Sequence, residues 1–288
     1  MLVLNAAGEL LAANRLIGSP WHGCRAIDVS GGTLMFAEYP YERPHRAKDA
    51  CRVFRSRDRG RSWNIVFEQP PTAIRHFHFL QARPGDPREW WLTSGDLAEE
   101  VHIWISRDDG DNWTELAITP NQRMVADGVR YPRSLFCLTD LAWFGNEAVW
   151  GIDDVLRGNR GDTRGAKVLR MAGDPELTKQ LVGTARFPIR NIVDVGKYWL
   201  FLTQGSLDPA ANPEQRRPAV YLLTKRHRPG SPQLVHLFDV DTYSPIPTAF
   251  TYSKASRAAR NGVFFTARSG TDLFPCGHRL LKWELTFS

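Results

Sequence analysis

Residues 56–63, Ser-Arg-Asp-Arg-Gly-Arg-Ser-Trp, recur fifty positions later at 106–113 as Ser-Arg-Asp-Asp-Gly-Asp-Asn-Trp. Both segments read Ser-x-Asp-x-Gly-x-(Ser/Asn)-Trp, and alternating apolar residues precede and follow each of them. Serine and aspartate oxygens accept main-chain N–H groups in tight turns, glycine takes a positive φ, and tryptophan covers the turn from the next strand. Each segment is therefore predicted to be a hairpin turn held by its own side chains.

A repeat of this length between short strands is typical of a β-propeller, whose blades are four-stranded sheets. The rest of the chain follows the same order, with five inner strand pairs, of which the first four are each followed by an outer hairpin. The inner pairs are predicted at 26–29 with 33–38, 75–81 with 90–93, 134–144 with 148–152, 191–195 with 199–202, and 248–252 with 263–267.

The pattern predicts an all-β fold, a five-bladed β-propeller of four-stranded antiparallel blades with the repeated turns on outer hairpins. The fifth blade has only one outer strand, at 279–285, and the strand-like residues 9–16 would pair with it and close the blade. Residues 2–5 could add another strand, so six blades remain the alternative. No linker divides the chain, so residues 1–288 are predicted to form a single domain.

Charge, hydropathy and cysteine spacing narrow the class of protein. No apolar run reaches the ~20 residues that cross a bilayer and no signal peptide is seen, so we expect no membrane partner. The cytoplasm is the default location, or the periplasm or exterior if a leader was removed. The net charge of +6 suits an anionic partner, but the basic residues are dispersed, so nucleic acid is an unlikely one. The four cysteines are widely spaced and are expected to be free buried thiols.

Long loops indicate where a site would lie. In a propeller the loops from the second to the third strand of each blade leave at one face, and three of them are long here, at 39–50, 154–165 and 205–218. Polar residues stand at the strand ends of that face. The candidates are Glu38, Tyr39, Arg75, His76, His78, Asp96, Asp153, Arg190, Gln204 and Arg268. The alternative is that each one only caps its own loop.

The repeated turn is the Asp-box, or BNR repeat, and it resembles the outer turns of sialidase-like β-propellers. Phrases such as Phe-Ala-Glu-Tyr at 36–39 and Thr-Ser-Gly-Asp at 93–96 resemble an uncharacterised bacterial BNR branch that is glycosyl-hydrolase-like. This resemblance implies a carbohydrate-related propeller with Asp58 and Asp108 away from the central site. The Arg-Ile-Pro phrase of sialidases is absent, so sialidase activity is not implied.

Paired carboxylates would suit glycoside hydrolysis, which needs two of them about 5 Å apart for retention or roughly 6.5–9.5 Å apart for inversion. Glu38 is expected to be the acid, because apolar surroundings raise a carboxyl pKa, with Asp96 or Asp153 as the base or nucleophile. We also expect replacement of Glu38 by glutamine to leave stability nearly unchanged, since a strand-end carboxylate in a water-filled mouth contributes little to folding.

Arginines and histidines would complete the site. Arg75, Arg190 and Arg268 would hold an acidic sugar through bidentate contacts. His76 and His78 lie two apart on a predicted strand and so face the same way. They would supply the base of a polysaccharide lyase, with Tyr39 or Tyr252 as the acid.

No third metal ligand is adjacent in sequence, so neither a metal nor a cofactor is predicted. Three functions remain open: a glycoside hydrolase acting on an acidic poly- or oligosaccharide, a lyase of the same substrates, and a non-catalytic glycan- or protein-binding propeller.

Overall fold

The computed structural model of the protein describes residues 2–4, 9–13, 27–38, 50–95, 98–116, 124–126, 129–131, 137–152, 166–172, 179–203, 217–226, 234–239, 249–251, 263–268 and 278–283. Their regular structure is β-strand except for a short 3-10 helix at Ala98–Glu100. No helical segment in these ranges has the length and hydropathy needed to cross a membrane.

The strands follow one another in short steps along the chain. They are β1 (Leu2–Leu4), β2 (Leu10–Ala13), β3 (Ile27–Ser30), β4 (Thr33–Ala37), β5 (Cys51–Ser56), β6 (Asn64–Gln69), β7 (Phe77–Ala82), β8 (Trp90–Ser94), β9 (His102–Ser106), β10 (Thr114–Glu115), β11 (Met124–Ala126), β12 (Val129–Tyr131), β13 (Leu138–Phe144), β14 (Glu147–Ile152), β15 (Ala166–Ala172), β16 (Lys179–Ala185), β17 (Ile189–Val195), β18 (Tyr198–Thr203), β19 (Ala219–Thr224), β20 (Leu234–Asp239), β21 (Ala249–Thr251), β22 (Val263–Arg268) and β23 (His278–Trp283).

Four-stranded antiparallel sheets dominate the described residues. Four such sheets run in chain order, as β3 to β6, β7 to β10, β13 to β16 and β17 to β20, and β21 to β23 form a three-stranded sheet. This up-and-down order is the one from which propeller blades are built. The prediction of an all-β chain made of four-stranded antiparallel sheets is therefore confirmed, while the number of blades stays a prediction.

The N-terminal strand β2 has a neighbour that was not predicted. β2 pairs antiparallel with β1, with Leu2 opposite Ala13, so residues 2–4 and 10–13 form a hairpin of their own. In the described part of the chain β23 pairs with β22. The expected pairing of residues 9–16 with 279–285, on which closure of the last blade depends, stays a prediction. A second unpredicted hairpin joins β11 to β12.

Two compact units divide the chain, and each has its own core. Unit 1 consists of Met1–Gln122 with Phe136–Leu138, and unit 2 of Arg123–Leu135 with Thr139–Ser288. The core of unit 1 is built around Trp90, which is fully buried. That of unit 2 is built around Trp199, which is also fully buried. Burying a large apolar side chain contributes about 1.5–3 kcal/mol, so each tryptophan stabilises the core of its unit.

In each unit, one aspartate connects the first strands of two neighbouring sheets through hydrogen bonds. In unit 1, Asp28 accepts hydrogen bonds from the main-chain N–H groups of Val29 and Ala82, which joins β3 to β7. In unit 2, Asp140 accepts from Leu141 and from Ile192, which joins β13 to β17. The same contact thus recurs at two sheet junctions, although no sequence motif marks it.

The two repeated turns connect β5 to β6 and β9 to β10 and have the same hydrogen bonds. Gly60 N–H donates to Ser56 Oγ at 2.7 Å, and Ser62 donates to Asp58 from its main chain at 2.8 Å and from its hydroxyl at 2.6 Å. In the second turn, Gly110 N–H donates to Ser106 Oγ at 2.8 Å. Asn112 donates to Asp108 from its main chain at 2.8 Å and from its side-chain amide at 2.7 Å. The glycine of each turn has a φ of 83°, as predicted.

A group of ion pairs connects the second turn to the first sheet of unit 1 and its turn. Arg55 contacts Asp111 at 2.6 Å, and Arg57 contacts both Asp111 and Asp109. Hydrogen bonds from Arg55 and Arg57 hold the pKa of Asp111 below its usual range, since both guanidinium groups favour the charged carboxylate. The repeated turns therefore have a structural role.

Candidate functional site

The candidate site lies at the loop edge of unit 1, meaning the ends of β4 and β8 and the start of β7 (Glu38, Ser94, Gly95, Arg75 and His76). The N–H of Phe77 donates to the carbonyl oxygen of Glu38 at 3.4 Å, which brings the two sheets together there. In the first sheet, Ser56 lies opposite Leu34, at the other end of β4 from Glu38. The loop edge and the first repeated turn are therefore at opposite ends of that sheet.

Glu38 belongs to a row of charged side chains across three strands. Its N–H donates to the carbonyl oxygen of Arg52, and Arg52 lies opposite Glu68 in the next strand. The Glu38 carboxylate accepts the Arg52 main-chain N–H at 2.9 Å and lies 3.9 Å from the Arg52 guanidinium. The same guanidinium donates to Glu68 at 2.8 Å.

This environment corrects the expectation of a water-filled mouth around Glu38. The residue is 2% exposed, and its partners are an N–H group and a cation. Such partners suit a carboxylate rather than a neutral acid, because hydrogen bonds and positive charge favour the ionised form. Arg52 was not recognised from the sequence, since its role depends on its register opposite Glu38.

His76 and His78 face the same way, as predicted. Their rings stack with centroids 5.0 Å apart, and both residues are buried. The pairing of β7 with β8 shifts between Phe77 and Phe79, so His78 is the extra residue of a β-bulge. Bulges are common beside active sites because they change the direction of one side chain.

A buried thiol contacts the second of these rings. Cys137 Sγ lies 3.6 Å from His78 Nδ1 and donates to the carbonyl oxygen of Gly95. Gly95 has a φ of 122°, and a Cβ there would lie 2.7 Å from Val101, so the position requires glycine. Cys137 is a free thiol, as the cysteine spacing predicted, but its contact with His78 could not be read from the sequence.

Arg75 is engaged by a carboxylate that the sequence interpretation missed. Its Nε donates to Glu100 Oε1 at 3.1 Å, and Ser94 donates to the main-chain oxygen of Glu100. Glu100 Oε2 is buried and has no hydrogen-bond partner among the described residues. The signal available in the sequence was the acidic pair Glu99-Glu100, three and four residues after Asp96.

The other predicted site residues fall into two groups. Arg190 and Arg268 lie in β17 and β22 of unit 2, and Arg190 is the extra residue of a bulge like that of His78, since the register shifts between Ile189 and Asn191. Tyr39, Asp96, Asp153, Gln204 and Tyr252 lie outside the described residues. Within the described ranges, no three His, Cys, Asp or Glu side chains come together as metal ligands.

Comparison with known proteins finds likeness only among solved structures. No family model and no curated protein matches the chain. YCF48 bound to a D1 peptide is 10% identical, with a TM-score of 0.45 over 90% of this chain and 64% of that one. The β-propeller domain of a protease from Pyrococcus furiosus is 11% identical, with a TM-score of 0.46 over 89% of this chain and 67% of that one.

A carbohydrate enzyme is among the similar structures. The exo-β-1,3-galactanase of Phanerochaete chrysosporium, solved with β-1,3-galactotriose, is 12% identical, with a TM-score of 0.49 over all of this chain and 64% of that one. This chain therefore spans less than two thirds of the length of YCF48 and of the galactanase. At these identities and TM-scores, neither a substrate nor a functional residue transfers to this chain.

Proposed function

We propose that the chain is a carbohydrate-active β-propeller of five blades that hydrolyses an acidic poly- or oligosaccharide. The observation that carries the proposal is the meeting of Glu38, two stacked histidines and Arg75 at the loop edge of unit 1. Polar side chains are buried there next to the loops that a propeller uses for binding. Burying them has a cost in free energy that a purely structural edge could avoid with apolar residues.

The contacts of Glu38 favour a carboxylate, so we assign it the base or nucleophile role instead of the acid. Asp96, two residues after the end of β8, would then supply the acid. The distance between the two reacting carboxyl groups would decide whether the sugar configuration is retained or inverted.

Arg75 would provide the preference for an acidic sugar. Arg75 is 36% exposed at the loop edge and has five N–H donors, of which Nε–H contacts Glu100. Its guanidinium group would make a bidentate contact with a sugar carboxylate, and Tyr39 would bind sugar hydroxyls. An uncharged sugar of the same size would lack the partner for this guanidinium group.

The stacked histidines favour a second candidate, a polysaccharide lyase. One imidazole would take the proton beside the carboxylate of a uronic acid, and Tyr39 would protonate the leaving oxygen. The electron pair of the broken C–H bond would form a carbon–carbon double bond as the glycosidic C–O bond breaks. His78 is the preferred base, because the bulge sets its direction independently of the strand.

The test is to incubate the purified chain with acidic oligosaccharides and with neutral ones of matched length, and to identify the products by mass spectrometry. Products that have gained one water molecule indicate the hydrolase, and Glu38→Gln should then lower the rate by about 10²–10⁴-fold. Unsaturated products of unchanged total mass indicate the lyase, and His78→Gln should lower the rate to a similar extent.

Equal rates for the wild-type chain and for Glu38→Gln would remove Glu38 from the mechanism. Binding of acidic sugars without any turnover would contradict both enzymes and leave the glycan-binding propeller. Failure to bind any sugar of the panel would contradict the whole proposal.

A further inference from the structure

A histidine–glutamate pair lies at the loop edge of unit 1, outside the residues already assigned to the site. His102 is the first residue of β9 and pairs with Ser94, the last residue of β8. Its Nδ1 lies 2.6 Å from Glu115 Oε1. Glu115 is opposite Trp104 in β10, so its side chain shares a face with Trp104 and His102 and reaches His102 diagonally.

The partner of Nδ1 determines which ring nitrogen donates. An ionised carboxylate can only accept, so Nδ1 of His102 carries the proton that Glu115 accepts. In the neutral ring the lone pair is then on Nε2, which can accept a hydrogen bond. The side chain of His102 is 20% exposed, and within the described part of the chain Nε2 has no hydrogen-bond partner and stays open to solvent.

The ring of His102 is held in place by a buried indole. It stacks on Trp104 with centroids 5.1 Å apart and an angle of 17° between the planes. Trp104 is 4% exposed and packs against Phe67 and Phe77, so it forms a fixed platform. Turning the ring over would exchange its two nitrogens and break the hydrogen bond to Glu115. The direction of Nε2 is therefore set before any ligand binds.

The pair lies next to the contact between Arg75 and Glu100. Glu100 is the last residue of the 3-10 helix, two positions before His102, and its carbonyl oxygen accepts the Ser94 hydroxyl. The same residue accepts Arg75 Nε–H through its carboxylate. A cationic group and a neutral acceptor therefore follow one another along the same edge.

We propose that His102 is a further sugar-binding residue of the loop edge, with Glu115 as the positioning residue that keeps its Nε2 available as an acceptor. The group it binds is a hydroxyl, which acidic and neutral sugars both have. Arg75 would thus select for charge, whereas His102 would bind both kinds of sugar equally. The inference rests on the proposed function for the identity of the ligand. Glu115 acts through His102 and does not touch the sugar.

The first experiment is long-range ¹H–¹⁵N NMR of the ¹⁵N-histidine-labelled full chain without ligand, at about pH 8 so that neutral tautomers are compared. The ¹⁵N shift of each ring nitrogen reports directly whether it carries a proton. We expect the proton of His102 on Nδ1, with more than about tenfold preference over the other tautomer. A proton mainly on Nε2 in the wild-type chain would overturn the proposal without the need for any variant.

Two glutamate variants make this test specific. Glu115→Ala removes the acceptor, so the preference of His102 for the Nδ1–H tautomer should be lost. Glu99→Ala is the matched control, because Glu99 is an exposed glutamate three residues before His102 and makes no described contact with it. An unchanged tautomer in Glu115→Ala, or the same change in Glu99→Ala, would contradict the positioning role.

The second experiment measures binding by calorimetry, with β-1,4-linked tetramers of glucuronic acid and of glucose, which differ only in the carboxylate. His102→Ala should weaken the binding of both tetramers by a similar factor, about three- to tenfold, because each loses one hydrogen bond. Arg75→Gln should weaken only the acidic tetramer. Unchanged affinities in His102→Ala, or a loss confined to the acidic tetramer, would contradict a hydroxyl-binding role for His102.

Failure of this inference can be told from failure of the proposed function. If neither tetramer nor any other sugar binds the wild-type chain, the proposed function fails and the sugar-binding role of His102 fails with it. If sugars bind with the same affinity to the wild-type chain and to His102→Ala, only the role of His102 is wrong. A threefold or larger loss in His102→Ala, together with the expected tautomer, supports both.

Discussion

The carboxylate of Glu38 accepts the main-chain N–H of Arg52 at 2.9 Å and lies 3.9 Å from its guanidinium, with both residues buried. Glu38→Gln keeps a hydrogen-bond acceptor but removes the charge opposite Arg52. We expect it to lower the free energy of unfolding by about 1–3 kcal/mol, because Arg52 then loses the buried one of its two carboxylate partners in the described part of the chain. Urea denaturation followed by circular dichroism measures this loss.

Glu68→Gln is the matched control, since it removes the other carboxylate of the same row. Glu68 is 51% exposed, so its loss should change the free energy of unfolding by about 0–1 kcal/mol. A larger loss in Glu68→Gln than in Glu38→Gln would contradict the importance assigned to the buried pair.

The repeated turns are expected to matter for stability and not for sugar binding. Asp58→Ala and Asp108→Ala each remove the acceptor of two hydrogen bonds from residues 62 and 112, so both should lower the melting temperature. Arg59→Gly is the control, because Arg59 has a φ of 60° that glycine adopts without strain, and it should not lower the melting temperature. Loss of sugar binding at an unchanged melting temperature in Asp58→Ala would give the turn a functional role.

The same aspartates predict a dependence of stability on pH. Hydrogen bonds from the Ser62 hydroxyl and main chain lower the pKa of Asp58 from 3.8 to about 2. Burial works against the charged form of Asp108, but hydrogen bonds from Asn112 and Ser106 outweigh it and lower that pKa to about 2 as well. Because the folded pKa is the lower one, the stabilisation is present above about pH 4 and is lost as the pH falls toward 2.

Urea denaturation between pH 5 and pH 2, at constant ionic strength, tests this dependence. The double variant Asp58→Asn with Asp108→Asn should lose less stability over that interval than the wild-type chain, because neither position titrates. An equally steep loss in both proteins would contradict the assignment of acid sensitivity to the turns.

Asp109 is predicted to be the most sensitive position of the second turn. It has a φ of 63° and accepts hydrogen bonds from Trp90, Thr33 and Arg57. Asp109→Ala loses the acceptor and strains the backbone, and should cost about 2–4 kcal/mol. Asp109→Gly should cost less, since it removes only the acceptor, and Asp109→Asn least. Thermal unfolding followed by tryptophan fluorescence gives the order, and a glycine variant weaker than the alanine variant would contradict it.

The sequence was informative where structure depends on neighbours along the chain. The second strand of the fourth sheet was predicted at 199–202 and is observed at Tyr198–Thr203, because a continuous apolar run after the turn at Gly196 determines it locally. The shared direction of His76 and His78 was also predicted, from strand periodicity, but His76 precedes β7 and His78 is the bulge residue, so the observed stacking depends on the bulge as well.

What the sequence did not indicate depends on tertiary register. The pairing of Arg52 with Glu38, the contact of Cys137 with His78 across 59 residues, and the bulge at His78 all arise when distant segments meet. No local pattern distinguishes a cysteine that contacts a histidine from one that only fills the core. The expectation that Glu38 lies in a water-filled mouth was wrong for the same reason, since its burial comes from packing between sheets.

The central claim is that the loop edge of unit 1 binds an acidic sugar, and NMR titration of the unmodified chain tests it most directly. On addition of an acidic oligosaccharide, we predict saturable shifts of the ring signals of His76 and His78, with no shift of the indole N–H signals of Trp63 and Trp113 beside the repeated turns. A neutral oligosaccharide of equal length should cause smaller shifts. Shifts of the two indoles with unchanged histidine rings would contradict the account.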